Sequence, residues 1–415
     1  MRRAVPWLIA GVVLSVLWAS IGAHAQTTIT WLVSGTSDER EIAEAEIIRR
    51  FEAMYPNIKV NREVVALWED YYPTLITRVL GNAAPDVAFN QSPSTIAEGI
   101  FLDLEPLIQR DHFDLSVFNP VLLEYGRTPR RPGLYTLPNH MATPAMYYNK
   151  ELFSRFGLAT PNQLFEMGSW SWDDFIEISR KLMEFDPSTG DYKRRMINWI
   201  DQLNVVYQNG GRFFNEDLTE SRISSPETVR GLERWQSLVA EHRVLGDGYI
   251  DAFNIERLVM VNEWTSFWRF EHVPFEWDVA PYPWDTQKAA IVGFGGYGIP
   301  HNSQHPEEAW LFLKWILSAE AQEIYSRASG DISARQDVAA ALYSDPSWGP
   351  QGKWQAFVVP MMEYGVASES YLSPIWGEVE GLLWNLGAPL RDGSAPAASV
   401  AENLHNVIQG MLRQR

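Results

Sequence analysis

The chain has 415 residues, a formal net charge of −18 at pH 7, 46% hydrophobic residues and no cysteine. This length is enough for two or three compact domains, and the lack of cysteine excludes disulfides, Cys-ligated zinc and a thiol nucleophile. The acidic balance argues against nucleic acid and anionic lipid headgroups as partners.

The N-terminal segment has the pattern of a cleavable export signal. Arg2 and Arg3 precede an uncharged run over residues 4–23. The run leads into Ala23-His24-Ala25, which has the small residues of a cleavage site at positions 23 and 25. An uncleaved membrane anchor is the alternative, because a run of 20 residues nearly spans a bilayer. The small residues favour cleavage near Ala25, so we expect residues 1–25 to be a signal peptide. The mature chain is then periplasmic, and its net charge is −20, since the signal carries two arginines and no acidic residue.

The first part of the mature chain alternates between strand and helix patterns. Strands are predicted at residues 28–33, 58–65 and 85–89, and helices at residues 38–54 and around 71–80. This alternation indicates an α/β domain with a largely parallel sheet. Ligands of such sheets bind beyond the carboxyl ends of the strands, which are followed here by residues 34–38, 67–70 and 90–92.

Further along the chain, helices are marked more clearly than strands. Ser171 and Asp174 form a capping-box pattern, Ser225 precedes a proline that opens a helix, and Pro306 opens another. A strand is predicted at residues 277–281, and helices around 376–386 and 400–412. No repeat or low-complexity linker is visible, so we expect two lobes to be joined by several tight crossings.

Aromatic residues are abundant, with 18 Trp, 16 Tyr and 19 Phe. Many of these rings must be core, but Trp68, Trp264 and Trp268 stand in polar, turn-rich segments. Sugar rings stack their C–H faces on aromatic rings, while their hydroxyls need carboxylates, amides and Arg. Polar loops that carry Trp beside such groups therefore favour a carbohydrate site.

The sequence contains motifs that resemble catalytic or cofactor-binding sites, but the neighbouring residues do not form the structure that such sites need. Residues 293–298 spell G-x-G-x-x-G, but a helix does not follow directly, so a closely approached or bent strand is predicted instead of a nucleotide site. His301 and His305 are separated by prolines from any shared helix face, and no third metal ligand clusters with them. Glu378 and Glu380 flank a helical position and are expected to point apart. We expect no metal, no cofactor and no catalytic residue.

A series of segments resembles a known family. The chain is similar to the extracellular solute-binding proteins (family 1) of bacterial ABC importers, the group that contains the maltose-binding protein. The similar segments follow one another over nearly the whole mature chain, at residues 28–31, 51–60, 85–89, 148–153, 172–175, 210–211, 259–264, 277–281, 295–299 and 307–313.

The resemblance implies an α/β, two-lobed periplasmic binding protein (type II) fold whose lobes close on a ligand by hinge motion. The first lobe would hold residues 27–142 and 297–330, and the second would hold 146–293 and 335–415. The pivots would lie at residues 142–145, 294–296 and 330–331.

The resemblance also implies the residues that face the cleft. Those in the first lobe, with Tyr297 at the hinge, are Ser34, Asp38, Trp68, Asn90, Gln91 and Tyr297. Those in the second lobe are Trp199, Asp201, Trp264, Trp268 and Trp376, and spacing does not decide which of Trp264 and Trp268 lines the cleft. Trp376 matches a stacking aromatic of the maltose-binding protein.

The expected function is that of a monomeric receptor that binds a sugar or polyol and delivers it unchanged to the permease of an ABC importer. One alternative is a secreted glycoside hydrolase, whose two carboxylates can be distant in sequence. Another is the same receptor fold with a different solute, such as glycerol phosphate or a polyamine. A local positive site for phosphate would come from Arg212, Arg269 or Arg335.

Overall fold

The computed structural model describes residues 26–35, 37–128, 131–265, 270, 272–345, 347–348 and 354–414. The predicted signal peptide and Trp268 lie outside the described residues. Among the residues that are described, no helix has the length and apolar character needed to cross a membrane.

Strands occur throughout the described chain. They are β1 (Thr27–Ser34), β2 (Ile58–Val65), β3 (Val87–Asn90), β4 (Leu137–Ala142), β5 (Pro144–Asn149), β6 (Glu184–Asp186), β7 (Asp191–Arg194), β8 (Met260–Trp264), β9 (Trp277–Ala280), β10 (Ala290–Gly298), β11 (Ile332–Ser333) and β12 (Gly365–Ala367).

Helices separate most of these strands. They are α1 (Asp38–Met54), α2 (Trp68–Leu80), α3 (Pro93–Ala97), α4 (Glu105–Asp111), α5 (Pro120–Glu124), α6 (Lys150–Arg155), α7 (Pro161–Glu166), α8 (Trp172–Leu182), α9 (Gln202–Tyr207), α10 (Pro226–Gln236), α11 (Ile250–Asn254), α12 (Pro306–Ile316), α13 (Ala319–Ser329), α14 (Gln336–Tyr343), α15 (Trp354–Glu363), α16 (Glu369–Leu372), α17 (Trp376–Asn385), α18 (Ala388–Asp392) and α19 (Ala397–Leu412). A π-helical turn (Ser237–Glu241) continues α10.

Local signals explain several of these boundaries. Ser37 caps α1 by accepting a hydrogen bond from the backbone N–H of Arg40, and Ser171 with Asp174 forms the predicted capping box of α8. Trp68, which the sequence placed in a loop, is instead the first residue of α2. Leu67 at its N-cap makes no side-chain hydrogen bond, so the sequence carries no capping signal there.

The largest sheet has the order β11-β4-β10-β3-β1-β2, and β12 pairs with the first part of β10. β1 is parallel to both β2 and β3, as the alternation predicted. The sheet as a whole is mixed rather than largely parallel, because β10 inserts antiparallel between β3 and β4. A second sheet, β8-β5-β9, is antiparallel, and β6 and β7 form a separate hairpin.

Buried side chains form two cores. The first core surrounds the largest sheet and includes Trp31, Phe51 and Tyr71. The second core includes Trp172 and Leu404. Strand β5 serves both, because its side chains alternate between two faces: those at positions 145 and 147 are in the first core and those at 146 and 148 are in the second.

Three passages of the described chain link the largest sheet to the second core, and side chains of the second sheet such as Val261 and Val279 also reach the first core. Thr143 alone separates β4 of the largest sheet from β5 of the second sheet. β10 pairs with β12 over residues 290–292 and with β4 over residues 293–297, so we call it the crossing strand. The third passage lies between α14, which contacts α13 and β11, and Ile375 and Val379, which belong to the second core.

Candidate functional site

An inner cavity of about 310 Å³ lies at the carboxyl ends of β1, β2 and β3. It is bounded by the ends of these strands, by α1 and α13, and by the crossing strand. Its lining residues are Val33, Ser34, Gly35, Arg40, Glu44, Ala66, Trp68, Phe89, Gln91, His140, Tyr297 and Tyr325. This is the edge at which ligands of open α/β sheets bind.

Ion pairs balance the charges of the inner cavity. Asp331 accepts a hydrogen bond from Arg40 at 2.6 Å. Tyr325 and Asp331 raise the pKa of Arg40, and although burial alone would raise the pKa of Asp331, Arg40 holds it below its usual value. Burial raises the pKa of Glu44, which pairs with Arg62 on β2. The cavity therefore presents many polar groups but little net charge.

A neutral imidazole lies beside these ion pairs. Burial lowers the pKa of His140, so the ring is uncharged at neutral pH. The ring stacks on Phe89 and Tyr325, with centroids 6.2 and 6.5 Å apart. A neutral imidazole offers one donor and one acceptor, which suits an uncharged hydroxyl.

An outer cavity of about 640 Å³ opens next to the inner one. One side is formed by α2 and α3, whose residues pack on the first core, and the other side by α16 and α17. Its lining residues are Trp68, Tyr72, Gln91, Ser92, Pro93, Ser94, Glu98, Ser370, Tyr371, Ser373, Pro374, Trp376, Gly377, Glu378 and Glu380. Both volumes lie in the range of about 300–1,000 Å³ that is typical of small-molecule sites.

Trp68 and Gln91 line both cavities and so mark where they join. The Trp68 ring is 45% exposed and lies nearly parallel to Tyr71, with centroids 5.9 Å apart. It also meets the edge of Phe89. The backbone N–H of Gln91 donates to the Tyr72 hydroxyl at 2.8 Å. The joining wall thus carries an accessible aromatic face beside an amide.

Trp376, which begins α17, lines the outer cavity. Its ring stacks on Phe213, with centroids 6.1 Å apart and planes 28° apart. The position of Phe213 is in turn fixed by Glu369, whose carboxylate accepts hydrogen bonds from the backbone N–H groups of Phe213 and Phe214 at 3.0 and 2.8 Å. Trp376 is therefore a supported platform rather than a loosely held side chain.

The structure brings five of the sequence-predicted site residues to the cavities. They are Ser34, Trp68, Gln91, Tyr297 and Trp376.

Other predicted residues do not line either cavity. Asp38 is exposed in the first turn of α1. Asn90 is fully buried, and its side chain is occupied by the backbone of Ser92 and the hydroxyl of Thr95. Trp199 is partly buried in the segment before α9.

Asp201 lies close behind the outer cavity. Its carboxylate caps α9 by accepting from the backbone N–H of Asn204 at 2.9 Å. Burial raises the pKa of Asp201 to about 6. Burial and the nearby Asp201 raise the pKa of Tyr371, a residue that does line the cavity. Asp201 is therefore near Tyr371, but it is not among the described residues that line either cavity.

Trp264 is the last residue of β8, not part of a turn, because it pairs with Pro144 on β5. Its ring covers the crossing strand, and a Cβ added at Gly293 would lie 2.6 Å from it. A Cβ at Gly295 would lie 2.1 Å from the His140 ring. The glycine-rich segment is thus a closely approached strand, as predicted, with an irregularity in its pairing between Gly295 and Gly296.

Sequence reasoning missed several lining residues. Glu378 and Glu380 were expected to point apart on α17, but both line the outer cavity because the helix lies along it. Tyr371 stands five residues before Trp376 in a segment rich in serine and proline. The pair of aromatic residues Tyr371 and Trp376 was the signal in the sequence for this wall of the outer cavity.

The sequence named three arginines for a phosphate ligand and found no cluster of metal ligands. Among the described residues, no group of three His, Cys, Asp or Glu side chains could hold a metal ion. Arg335 is paired with Asp337 and Arg212 lies over the Tyr207 ring, and neither is among the residues that line the inner or the outer cavity. Arg269 lies outside the described residues.

A family model described as bacterial extracellular solute-binding protein matches residues 34–323. The chain belongs to this family. The resemblance seen in the sequence is confirmed, and membership of an extracellular family makes this an exported protein.

An arabinooligosaccharide-binding protein from Halalkalibacterium halodurans is 23% identical over 310 residues, which cover 68% of this chain and 65% of that relative. The match thus spans less than two thirds of that relative's length.

Two solved structures establish the fold. An ABC substrate-binding protein from Listeria monocytogenes in complex with cycloalternan aligns with a TM-score of 0.78 at 24% identity, over 93% of this chain and 99% of that one. UgpB from Mycobacterium tuberculosis in complex with glycerophosphocholine aligns with a TM-score of 0.73 at 16% identity, over 93% of this chain and 98% of that one. The predicted two-lobed periplasmic binding protein fold is confirmed.

Proposed function

We propose that this chain is the substrate-binding component of an ABC importer and that it holds a sugar or polyol between its two lobes. The observation that carries the proposal is a cleft with Trp68 on the first side and Trp376 on the other, surrounded by hydroxyl, amide and carboxylate groups. Aromatic faces stack on the C–H faces of a sugar, and the polar groups satisfy its hydroxyls. The carbohydrate named for the relative from Halalkalibacterium halodurans agrees with this chemistry.

We propose Ser34, Trp68, Gln91, Tyr297 and Trp376 as direct ligand contacts. Six further predicted contacts are not among the described residues that line the two cavities, and they stay predictions: Asp38, Asn90, Trp199, Asp201, Trp264 and Trp268. For the lobes, the boundaries 27–142 with 297–330 and 146–293 with 335–415 are proposed with one change. Residues 335–343 are assigned to the first lobe, because α14 contacts α13 and β11.

The remaining parts of the proposal concern how the protein works. The signal is cleaved near Ala25, and the mature protein acts as a monomer. It releases its ligand unchanged to the permease subunits, in line with its membership of a family of binding proteins. Product analysis after incubation with an oligosaccharide tests this point directly, because a hydrolase would release shorter sugars.

A thermal-shift screen tests the proposed function. A ligand that binds only the folded protein adds about 2.7 kcal/mol of stability at 100 times its Kd. We expect saccharides or polyols, and not inorganic phosphate, to raise the melting temperature by a few degrees. Trp376→Ala should reduce the largest of these shifts, whereas Trp384→Ala, which replaces a 70% exposed tryptophan on the same helix outside both cavities, should retain it. A panel without any stabilising saccharide or polyol would refute the proposal.

A phosphate-bearing solute is the second candidate, and one observation favours it. Arg40 lines the inner cavity, and a guanidinium is a strong partner for phosphate. However, Asp331 already neutralises Arg40, and three carboxylates line the outer cavity at Glu98, Glu378 and Glu380. Stabilisation by glycerol 3-phosphate but not by glycerol or sugars would select this candidate.

A further inference from the structure

We infer that the ligand is an uncharged saccharide of at least two rings, with one ring in the inner cavity and the next in the outer cavity. This inference rests on the proposed function and deepens it by fixing the size and charge of the ligand. It follows from how the two cavities are shared between the lobes.

The inner cavity belongs to one lobe alone. Each of its described lining residues lies on a strand of the largest sheet, on a segment that directly follows one, or on α1, α2 or α13. The Tyr297 ring in this cavity meets Trp31 and Phe89 edge to face, with both pairs of centroids 5.6 Å apart. A ring that fills this cavity alone would touch the first lobe and leave the second without a contact.

The outer cavity is the place where the lobes meet. Trp68 and Tyr72 come from α2, whereas Trp376 and its neighbours come from α17, which packs on the second core through Val379. A ring held here touches both lobes at once. A ligand favours the closed state only by interacting better with it, so the outer ring is the part that drives closure.

Trp68 and Gln91 make the two cavities continuous. A chain of sugar rings can therefore pass Trp68 without leaving the cleft, and the exposed Trp68 face lies at the junction of the two rings. Each cavity alone has a volume within the range of small-molecule sites, so each is large enough to hold part of the ligand.

The charges of the cleft favour an uncharged ligand. In the inner cavity, Arg40 is paired with Asp331 and Glu44 with Arg62. Among the described residues that line the outer cavity, the ionisable acids are not accompanied by any lysine or arginine. A uronic acid or sugar phosphate placed there would meet like charge and would lose the hydration of its own charge.

Isothermal titration with two sugar series tests the inference: glucose, maltose and maltotriose, and arabinose, arabinobiose and arabinotriose. In the series that binds, we expect the two-ring sugar to bind at least about 10-fold more tightly than the single ring, since only it reaches the second aromatic platform. The matching uronic acid should bind more weakly than the neutral sugar.

Two variants separate the cavities. Tyr297→Phe keeps the buried ring and removes only a hydroxyl of the inner cavity, so it should weaken the one-ring and two-ring sugars alike, by about 2- to 12-fold. Trp376→Ala removes a platform of the outer cavity. It should weaken the two-ring sugar by about 30-fold or more and the single ring by less than about 2-fold. Trp384→Ala is the matched control and should bind both sugars as the wild type does.

Two results would overturn the inference while leaving the proposed function intact. One is a single ring that binds as tightly as every longer sugar. The other is a Trp376→Ala variant that loses the one-ring and two-ring sugars to the same extent. If neither a neutral sugar of any length nor a polyol binds, the proposed function itself fails.

Discussion

Replacing Glu369 with Gln should destabilise the protein, because this carboxylate ties the third passage between the lobes to the second lobe. Glu369 begins α16 directly after β12, and only 4% of its surface is exposed. It accepts hydrogen bonds from the Tyr207 hydroxyl at 3.1 Å and from the backbone N–H groups of Phe213 and Phe214 at 3.0 and 2.8 Å. All three donors belong to the second lobe.

The magnitude follows from these three bonds. A glutamine has one acceptor oxygen, and its amide nitrogen would face N–H donors, so at least one buried donor loses its partner. Hydrogen bonds to a charged group contribute about 1.5–3 kcal/mol each, and an unsatisfied buried donor costs about 1–3 kcal/mol. Burial raises the pKa of Glu369, so relief from desolvation offsets part of the loss. We expect a net loss of about 2–4 kcal/mol in the free energy of unfolding.

Urea unfolding of the ligand-free protein measures this loss, with Glu402→Gln as the control. Glu402 is exposed on α19, so its substitution should change the free energy of unfolding by less than about 0.5 kcal/mol. Sugar binding should also weaken in Glu369→Gln, because Phe213 supports the Trp376 ring. If Glu369→Gln and Glu402→Gln unfold at the same urea concentration, the anchoring role of Glu369 is wrong.

Three further predictions concern the crossing strand, a buried acid and the N-terminus. Gly295→Ala should lose about 1–3 kcal/mol of stability in urea unfolding, because its Cβ would lie 2.1 Å from the His140 ring. In the helical variant Gly381→Ala, the added Cβ would meet no atom within 4 Å apart from the nearby backbone of its own helix, so this variant should gain about 0.5–1 kcal/mol of stability. Equal stability of the two variants would contradict the close approach between Gly295 and His140. Asp201 has a pKa raised to about 6 by burial, so the folded state binds its proton more tightly than the unfolded state does, and its contribution to stability improves as pH falls from about 7 to 4. Asp201→Asn should therefore be more stable than wild type at pH 8 by up to about 3 kcal/mol, and a difference that stays constant down to pH 4 would refute this. N-terminal sequencing of the exported protein should begin at Gln26 or within a residue or two of it, and retention of Met1 would show that the segment is an uncleaved anchor.

Elements with strong local signals could be predicted well from the sequence. The helix over residues 38–54 and the strand over residues 58–65 have the predicted bounds, because an apolar period and the Tyr55-Pro56 stop are both local. Features that depend on long-range pairing could not be predicted. The antiparallel insertion of β10 needs partners on β3 and β4, more than 150 residues earlier in the chain.

The candidate site was only partly readable for the same reason. Ser34 ends β1 and Gln91 directly follows β3, so the rule for strand ends predicted their place at the inner cavity. Arg40 and Tyr325 also line that cavity, but they lie on two helices, α1 and α13, that meet only in the fold. Asn90 also stands at a strand end, as the last residue of β3, but its amide shapes the turn before α3. Position after a strand thus identifies the correct edge of the sheet but not which side chains face the ligand.

Small-angle X-ray scattering, with and without the saccharide that gives the largest thermal shift, tests the central claim most directly. If a sugar of two or more rings is held between Trp68 on the first lobe and Trp376 on the second, the lobes close on it and the radius of gyration falls at saturating ligand. The Trp376→Ala variant should show a smaller fall at the same sugar concentration. Scattering curves of the wild type that remain identical with and without saturating sugar would contradict a ligand site shared by the two lobes.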